Sequence, residues 1–180
     1  MDVEGRKDKE TNSVSSPQVT RPHFPKGYVD DPKETLPWSH VELRLTDAKH
    51  YWLCSVRPSG RPHAVPVWAV WVGDKVLFDG SPQTRHARNI AENPFVSLHL
   101  ESGEDVIILE GTAGEVRPSP EMAVSVARAY SSKYRALGYA PKPTQWDNGG
   151  LFEITPHTVL AWTSFTKDPT KFLLRAEPAA

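Results

Sequence analysis

The stretch SPQTRHARN, residues 81–89, brings together side chains that could bind an anion. Ser81 can cap a helix that has Pro82 at its first position. The start of a helix presents free N–H groups and a partial positive charge, Ser81 and Thr84 add hydroxyl donors, and Arg85 offers a planar fork suited to phosphate oxygens. These features predict a phosphate site. The alternative is that Ser81 only caps the helix and the arginines are solvated, and the spacing does not separate the two.

A second feature is GRPHAVPVW, residues 60–68, which has a proline inside a predicted strand. Proline removes one hydrogen bond of the ladder and forces a local irregularity. A flat ring could lie against the backbone at Pro66, Val67 and Trp68, with Trp68 adding apolar area. The alternative is a bulged barrel strand in which Trp68 and Trp71 pack into the core.

Other chemistry finds little support in the residues. The seven histidines form no H-x-x-x-H or H-E-x-x-H pair, so no metal site is predicted. The single cysteine, Cys54, excludes an internal disulfide and is expected to be an inert buried thiol. The carboxylates of Glu101, Glu104 and Asp105 flank a Ser-Gly turn typical of a solvated loop. The chain has no G-x-S-x-G elbow, P-loop or G-x-G-x-x-G motif, which disfavours hydrolases, NTPases and Rossmann dehydrogenases.

The charge and hydropathy of the sequence disfavour nucleic-acid and membrane partners. The 180 residues carry a net charge of -1, so no overall positive field favours nucleic acid or an anionic membrane. The longest apolar run near the middle, 64–72, is far shorter than the roughly 20 residues of a membrane-spanning helix. The charged residues after Met1 are unlike a secretory signal. These features predict a soluble, cytoplasmic protein with neither a nucleic-acid nor a membrane partner.

The chain is predicted to consist of an arm at 1–36, a folded cofactor-binding domain at 37–175 and a tail at 176–180. The arm is polar, charged and rich in proline, and it lacks any run that could bury enough apolar surface to offset the entropy of ordering. It is therefore expected to be disordered.

Hydrophobic periodicity predicts three helices and about seven strands. The helices are expected at 39–48, opened by a Ser39–Glu42 capping box, at 81–93, and at 119–137 with Gly138 as a left-handed stop. The strands are expected at 51–56, 62–72, 75–79, 95–101, 105–116, 151–155 and 159–164, with a turn at Pro156-His157 and bends at Gly111 and Gly114. This content favours a mainly β fold, a small closed barrel with helices packed outside it.

The order of GRPHAVPVW, a second strand, SPQTRHARNIAENP and FVSLHLESG resembles the pyridoxamine 5′-phosphate oxidase-like split β-barrel superfamily. Within it, the chain is most similar to the flavin/deazaflavin oxidoreductases of the B branch, over residues 38–172. The resemblance implies a split β-barrel, FMN-binding-protein-like and homodimeric. It also implies that the phosphate of FMN or coenzyme F420 is held by Ser81, Thr84, Arg85 and His86. The cofactor ring is then expected to lie against His63, Val65, Pro66, Val67 and Trp68. Trp162 is a candidate for the wall of the cofactor cleft.

Two positions depart from the family pattern. Family members commonly carry lysine where His86 stands, and a basic residue followed by tryptophan where this chain has Lys171-Phe172. Histidine carries less charge than lysine at neutral pH, so phosphate affinity could be weaker or pH-dependent. No set of residues near the C-terminus matches the substrate-binding residues of the biosynthetic oxidase, so pyridoxamine phosphate is not the expected substrate.

The resemblance implies an oxidoreductase in which reduced coenzyme F420 transfers a hydride to a conjugated small-molecule acceptor. The alternatives are an FMN-dependent oxidoreductase of the same fold and a non-catalytic protein that binds a flavin, F420 or haem. In both oxidoreductase hypotheses the cofactor carries the chemistry, so no catalytic acid or base is assigned.

Overall fold

The computed structural model describes residues 17–29 and 32–174, and this part of the chain forms nine strands and three α-helices. The strands are β1 (Gln18–Thr20), β2 (Tyr51–Val56), β3 (Pro62–Val67), β4 (Ala69–Val72), β5 (Lys75–Asp79), β6 (Phe95–His99), β7 (Val106–Val116), β8 (Leu151–Trp162) and β9 (Thr170–Leu173). The helices are α1 (Trp38–Asp47), α2 (Arg85–Glu92) and α3 (Pro120–Tyr134), with 3-10 turns at Arg135–Leu137 and Pro143–Trp146. Within the described ranges, no helix is both long and apolar enough to cross a membrane.

All strand pairs of the sheet are antiparallel, in the order β1-β9-β8-β7-β6-β2-β3. β8 pairs with β7 along one edge, and its other edge is shared by β5 at Leu151–Ile154 and by β9 at Thr158–Ala161. β4 and β5 lie off this order, because β4 pairs with β5 and β5 pairs in turn with β8. The predicted mainly β fold is confirmed.

The predicted strand 62–72 is in fact two strands that separate at Trp68. β3 forms the predicted hairpin with β2, but β4 turns away to pair with β5. At the break, the N–H of Ala69 donates to the hydroxyl of Tyr134 at 3.0 Å, and Nζ of Lys133 donates to the carbonyl oxygen of Ala69 at 3.1 Å. Side chains of α3 thus satisfy backbone groups that a continuous ladder would otherwise have to pair.

The predicted turn at Pro156-His157 is wrong, because β8 continues through it as one strand. Glu110 of β7 pairs with Thr158 and Gly111 pairs with Pro156, so His157 is an extra residue in a β-bulge. Proline is tolerated where a bulge interrupts the ladder. The bend predicted at Gly111 is confirmed, whereas Gly114 lies in regular register opposite Glu153.

Two of the three predicted helix caps differ in the structure. α1 begins after Pro37, and that position makes no side-chain cap, so the Ser39–Glu42 capping box is wrong. Thr84, not Ser81, caps α2, because the N–H of Ala87 donates to Oγ1 of Thr84 at 3.4 Å. The third prediction is confirmed, since Ser119 caps α3 and Gly138 closes its end at φ +85°.

The described part of the predicted arm is held on the sheet. β1 pairs with β9, with Val19 opposite Phe172, and Oγ1 of Thr20 donates to the carbonyl of Lys171 at 3.2 Å. The N–H of Leu36 donates to Oγ1 of Thr170 at 2.8 Å. A disordered arm is therefore wrong for these residues, while 1–16, 30–31 and the tail 176–180 lie outside the described residues.

Two apolar clusters build the core. The larger fills the space inside the strands and includes the fully buried Leu53, Phe78, Leu98 and Leu109. The smaller joins α3 to the β4–β5 hairpin and the loop after Gly138, and its largest members are Tyr130, Tyr134, Trp146, Leu77 and Leu151. The break at Trp68 lies against this second cluster, which fixes the position of the cavity described next.

Candidate cofactor and substrate cavity

A cavity of about 680 Å³ opens where the end of β3, the end of β5, the start of α2 and the loop at 139–150 meet. Its size is typical of a small-molecule site. The predicted ring-binding strand and the predicted anion site face this same cavity. The lining residues are Pro66, Val67, Trp68, Asp79, Gly80, Thr84, His86, Tyr139, Gln145, Trp146, Gly149 and Gly150.

The start of α2 supplies hydrogen-bond donors at one end of the cavity. The first intrahelical bond runs from the N–H of Arg88 to the carbonyl of Thr84 at 3.1 Å, so the N–H groups of Arg85 and His86 precede the helical ladder. Oγ1 of Thr84 lies 3.1 Å from Nε2 of His86. Unpaired helix N–H groups with a hydroxyl and an imidazole beside them form an arrangement that can hold a phosphate.

His86 contributes to this end as a neutral ring. Desolvation by burial, followed by the charge of His63, lowers the pKa of His86 below its usual 6.5. The imidazole is therefore uncharged at neutral pH. Arg85, which is exposed at the start of α2, carries a permanent positive charge.

Hydrogen bonds of Gly80 and Gly150 connect the end of β5 to the loop at 139–150. The N–H of Gly80 donates to the carbonyl of Gly150 at 3.0 Å, and the N–H of Gly150 donates to Oε1 of Glu115 at 2.7 Å. Gly149 and Gly150 have φ values of +96° and +85°, which favour glycine. A Cβ on Gly80 would meet only Nε2 of His86 within 4 Å, at 3.9 Å, so Gly80 faces open space beside the start of α2.

Aromatic rings and one carboxylate line a part of the cavity that we call the aromatic end. The Tyr139 hydroxyl donates to Oδ2 of Asp79, and the Asp79 N–H donates to the hydroxyl of Tyr130 at 3.1 Å. Trp68 stacks on Tyr134, with ring centroids 4.8 Å apart and planes 8° from parallel. Burial raises the pKa of Tyr134 to about 12, so this tyrosine remains protonated.

Several predicted site residues lie elsewhere in a single chain. Val65 packs against the core, and Ser81 and Arg85 are exposed and outside the cavity lining. His63 is partly buried, near enough for its charge to act on His86. Trp162 lies at the far end of β8, roughly 35 Å along the strand from Leu151 at about 3.3 Å per residue, and it packs on Phe165 with centroids 5.4 Å apart.

The residues missed from the sequence are Asp79, Gly80, Tyr139, Gln145, Trp146, Gly149 and Gly150. Asp79 ends a strand and belongs to no motif. The others after 138 fall in a proline-rich loop, where only the adjacent glycines and the aromatic residues signalled a defined conformation. Among the described residues, no group of three or more His, Cys, Asp or Glu side chains could hold a metal ion.

Comparison with solved structures supports the fold. The chain is similar to a haem-binding protein from Mycobacterium smegmatis, with a TM-score of 0.60 and 18% identity over 78% of this chain and 60% of that one. It is also similar to a candidate pyridoxamine 5′-phosphate oxidase from Listeria innocua, with a TM-score of 0.55 and 14% identity over 70% and 98% of the two chains. For the haem storage protein HutZ from Vibrio cholerae the TM-score is 0.51, with 21% identity over 66% and 88%.

A search of curated proteins finds no match. A sequence model of the pyridoxamine 5′-phosphate oxidase family matches residues 39–163, which are 125 of the 180 residues. The matched region includes both predicted ligand-binding segments and seven of the nine described strands, β2 to β8. The chain therefore belongs to the pyridoxamine 5′-phosphate oxidase family.

Proposed function

We propose that the protein is an oxidoreductase that uses reduced coenzyme F420 to reduce a conjugated small molecule. When bound, F420 supplies a hydride donor at C5 of its deazaflavin ring. The observation that carries the proposal is that the strand end at Pro66–Trp68 and the opening of α2 line one cavity. The family resemblance associates these two segments with the ring and the phosphate of a flavin-type cofactor.

The residues at the α2 end fit a phosphate-bearing cofactor. The N–H groups of Arg85 and His86 and the Thr84 hydroxyl would hold the phosphate inside the cavity. The guanidinium of Arg85, which is exposed at the start of α2 outside the cavity lining, would bind it from the solvent side. The absence of a side chain at Gly80 leaves room beside His86, since a Cβ there meets no other atom within 4 Å. A side chain at position 80 would fill this space.

The protein's own contribution is positioning and exclusion of water. The backbone at Pro66 and Val67 would lie along the ring, and Trp68, fixed by its stack on Tyr134, would form an apolar wall. No residue of the cavity is assigned as a catalytic acid or base.

A homodimer completes the proposal. The outer face of β2, β3, β6 and β7 carries a second cavity of about 440 Å³ lined by Cys54, Val56, Pro62 and Phe95, among others. Val56 and Phe95 are 39% and 46% exposed and both line this cavity, so the face presents apolar surface to solvent. A second copy would cover this face, and Trp162 could then reach the cofactor cavity of that copy. Phe95→Glu should convert the dimer into a monomer in sedimentation velocity.

The decisive experiment is a side-by-side fluorescence titration of the purified protein with F420 and with FMN. Tight F420 binding and weak FMN binding are expected. Gly80→Val should abolish that binding while Gly114→Val, at an open position of β7, should preserve it. If FMN binds more tightly than F420, the cofactor of the proposed reaction is FMN and not F420. If the protein binds haem but neither F420 nor FMN, it is a non-catalytic haem-binding protein.

A further inference from the structure

We propose that the aromatic end of the cavity selects a flat acceptor that carries a positive charge, with Asp79 as the recognition group and Trp68 and Tyr139 as the flanking rings. This inference depends on the proposed function, because it names the class of acceptor for the same cavity. It assigns Asp79 a role in substrate specificity that the cofactor alone does not require.

The charge of the cavity lining supports a cationic ligand. Asp79 is the one residue of the lining that is an Asp, Glu, Lys or Arg. Among the described residues it has no ion-pair partner, and its only side-chain hydrogen bond comes from Tyr139 to Oδ2. Oδ1 therefore keeps its accepting capacity. A partly buried carboxylate with no cation beside it attracts one from a ligand.

The rings around the carboxylate suit the same ligand. The Tyr139 and Trp68 centroids are 6.0 Å apart with planes inclined at 55°, and both side chains line the cavity. The other neighbours of Trp68 and Tyr139 hold the rings in place, since Trp68 stacks on Tyr134 and Tyr139 meets Tyr130 edge-on at 5.5 Å. Rings that are fixed in this way can contact a cationic ligand without further loss of side-chain entropy.

The charge of Asp79 acts on the aromatic rings. Burial, and with it the charge of Asp79, raises the pKa of Tyr130, Tyr134 and Tyr139, and Oδ2 of Asp79 accepts the Tyr139 hydroxyl. The cavity thus combines anion-binding donors at the start of α2 with a carboxylate beside the aromatic rings. At those rings an anionic acceptor would be repelled and a cationic one attracted.

The test compares three flat probes that share the quinoline ring system, by isothermal titration calorimetry at a pH where quinoline is neutral. The probes are 1-methylquinolinium, a cation, quinoline, which is neutral, and quinoline-2-carboxylate, an anion. The cation is expected to bind about tenfold more tightly than quinoline, and the anion more weakly than either. Each titration is repeated with F420 or FMN present.

Two variants assign the selectivity to Asp79. Asp79→Asn can still accept the Tyr139 hydroxyl and should remove the preference for the cation. Asp74→Asn, in the turn between β4 and β5, makes the same charge change outside the cavity and should keep the preference. Tyr139→Phe retains the carboxylate and should keep the preference, which shows that the Tyr139 hydroxyl does not cause it. If Asp79→Asn does not fold, Asp79→Ser removes the same charge with a smaller side chain that can still accept the Tyr139 hydroxyl, and it should also remove the preference.

Equal binding of the cation and of quinoline to the wild-type protein would overturn the inference, and so would an unchanged preference in Asp79→Asn. These titrations need no turnover and can be read on cofactor-free protein. Failure of both F420 and FMN to bind would instead remove the proposed function and leave the selectivity of the Asp79 end measurable.

Discussion

Gly111 of β7 lies against the backbone of Thr155 in β8 more closely than a residue with a side chain allows. A Cβ at Gly111 would be less than 3.0 Å from the Thr155 carbonyl oxygen and 3.0 Å from Cα of Pro156. This approach occurs beside the bulge at His157, whose own carbonyl accepts the N–H of Leu174 at 2.8 Å. The bulge thus connects β8 to β7 on one edge and to the end of β9 on the other.

Gly111→Ala should destabilise the protein by about 1–3 kcal/mol, because backbone atoms rather than a flexible side chain must move. Gly114→Ala on the same strand has no atom within 4 Å of the new Cβ, and it should leave stability unchanged or raise it by up to about 1 kcal/mol. Urea unfolding of the two variants measures the difference. Equal stability of both variants would contradict the close contact.

Arg85→Ala should weaken F420 binding by about 1.5–3 kcal/mol, the range for a hydrogen bond to a charged group, without lowering the thermal midpoint. Arg85 is exposed, so its removal costs the fold little. Arg88→Ala, also exposed on α2, is the matched control and should bind F420 normally. Thr84 is a poorer choice, because it caps α2 and its loss costs about 1 kcal/mol of stability. Equal loss in both arginine variants would point to a general charge effect.

His86 should make the fold less stable in acid. Because its pKa in the fold is below 6.5, the unfolded chain takes up a proton first as pH falls, and the folded state loses stability from about pH 6.5 downward. The stability advantage of the wild type over His86→Gln should therefore shrink between pH 7.5 and 5.5 in denaturant titrations. An advantage that grew in acid would show that the fold binds the proton more strongly than the unfolded chain.

Lys133 should make stability rise with pH in the alkaline range. Its Nζ donates to the carbonyls of Leu45 and Ala69 and to the hydroxyl of Tyr51. Desolvation nevertheless lowers its pKa to about 8, from 10.5. Between these values the unfolded chain binds more protons than the folded chain, so stability rises with pH by up to about 1.4 kcal/mol per unit. Urea unfolding at pH 7.5 and 9.5 should show this gain relative to Lys133→Met, and no relative gain would contradict it.

The parts of the fold that local patterns specify could be predicted. The alternation at Tyr51–Val56 and the glycine turn after it predicted the β2–β3 hairpin, and Ser119 and Gly138 marked both ends of the third helix. The break at Trp68 could not be predicted, because it is stabilised by Lys133 and Tyr134 from a distant helix. Pro156 suggested a turn because proline seldom occurs inside a strand. A strand can include it here because of the bulge at His157, and that bulge is visible only in the pairing of β8 with β7.

Local patterns marked two of the segments that line the cavity, but not Asp79, Gly80 or the loop at 139–150. The polar residues at the start of α2 and the proline-containing strand each have a local signature, and both reach the cavity. Asp79 has none, because its significance comes from the unpaired state of its carboxylate and from Tyr139, sixty residues away. Its role depends on tertiary contacts.

The shared edge of β8 also has a consequence for how the protein is made. β5 gains its second neighbour only when β8 has been synthesised, and 83 residues separate Asp79 from Trp162. At roughly 5–20 residues per second, a ribosome needs about 4–17 seconds to cover that distance. During this interval the nascent chain carries an unpaired, apolar β5 edge, which is the kind of surface that aggregates or recruits chaperones. Closure of the barrel is therefore a late event in biosynthesis, whatever the order in which its local hairpins form.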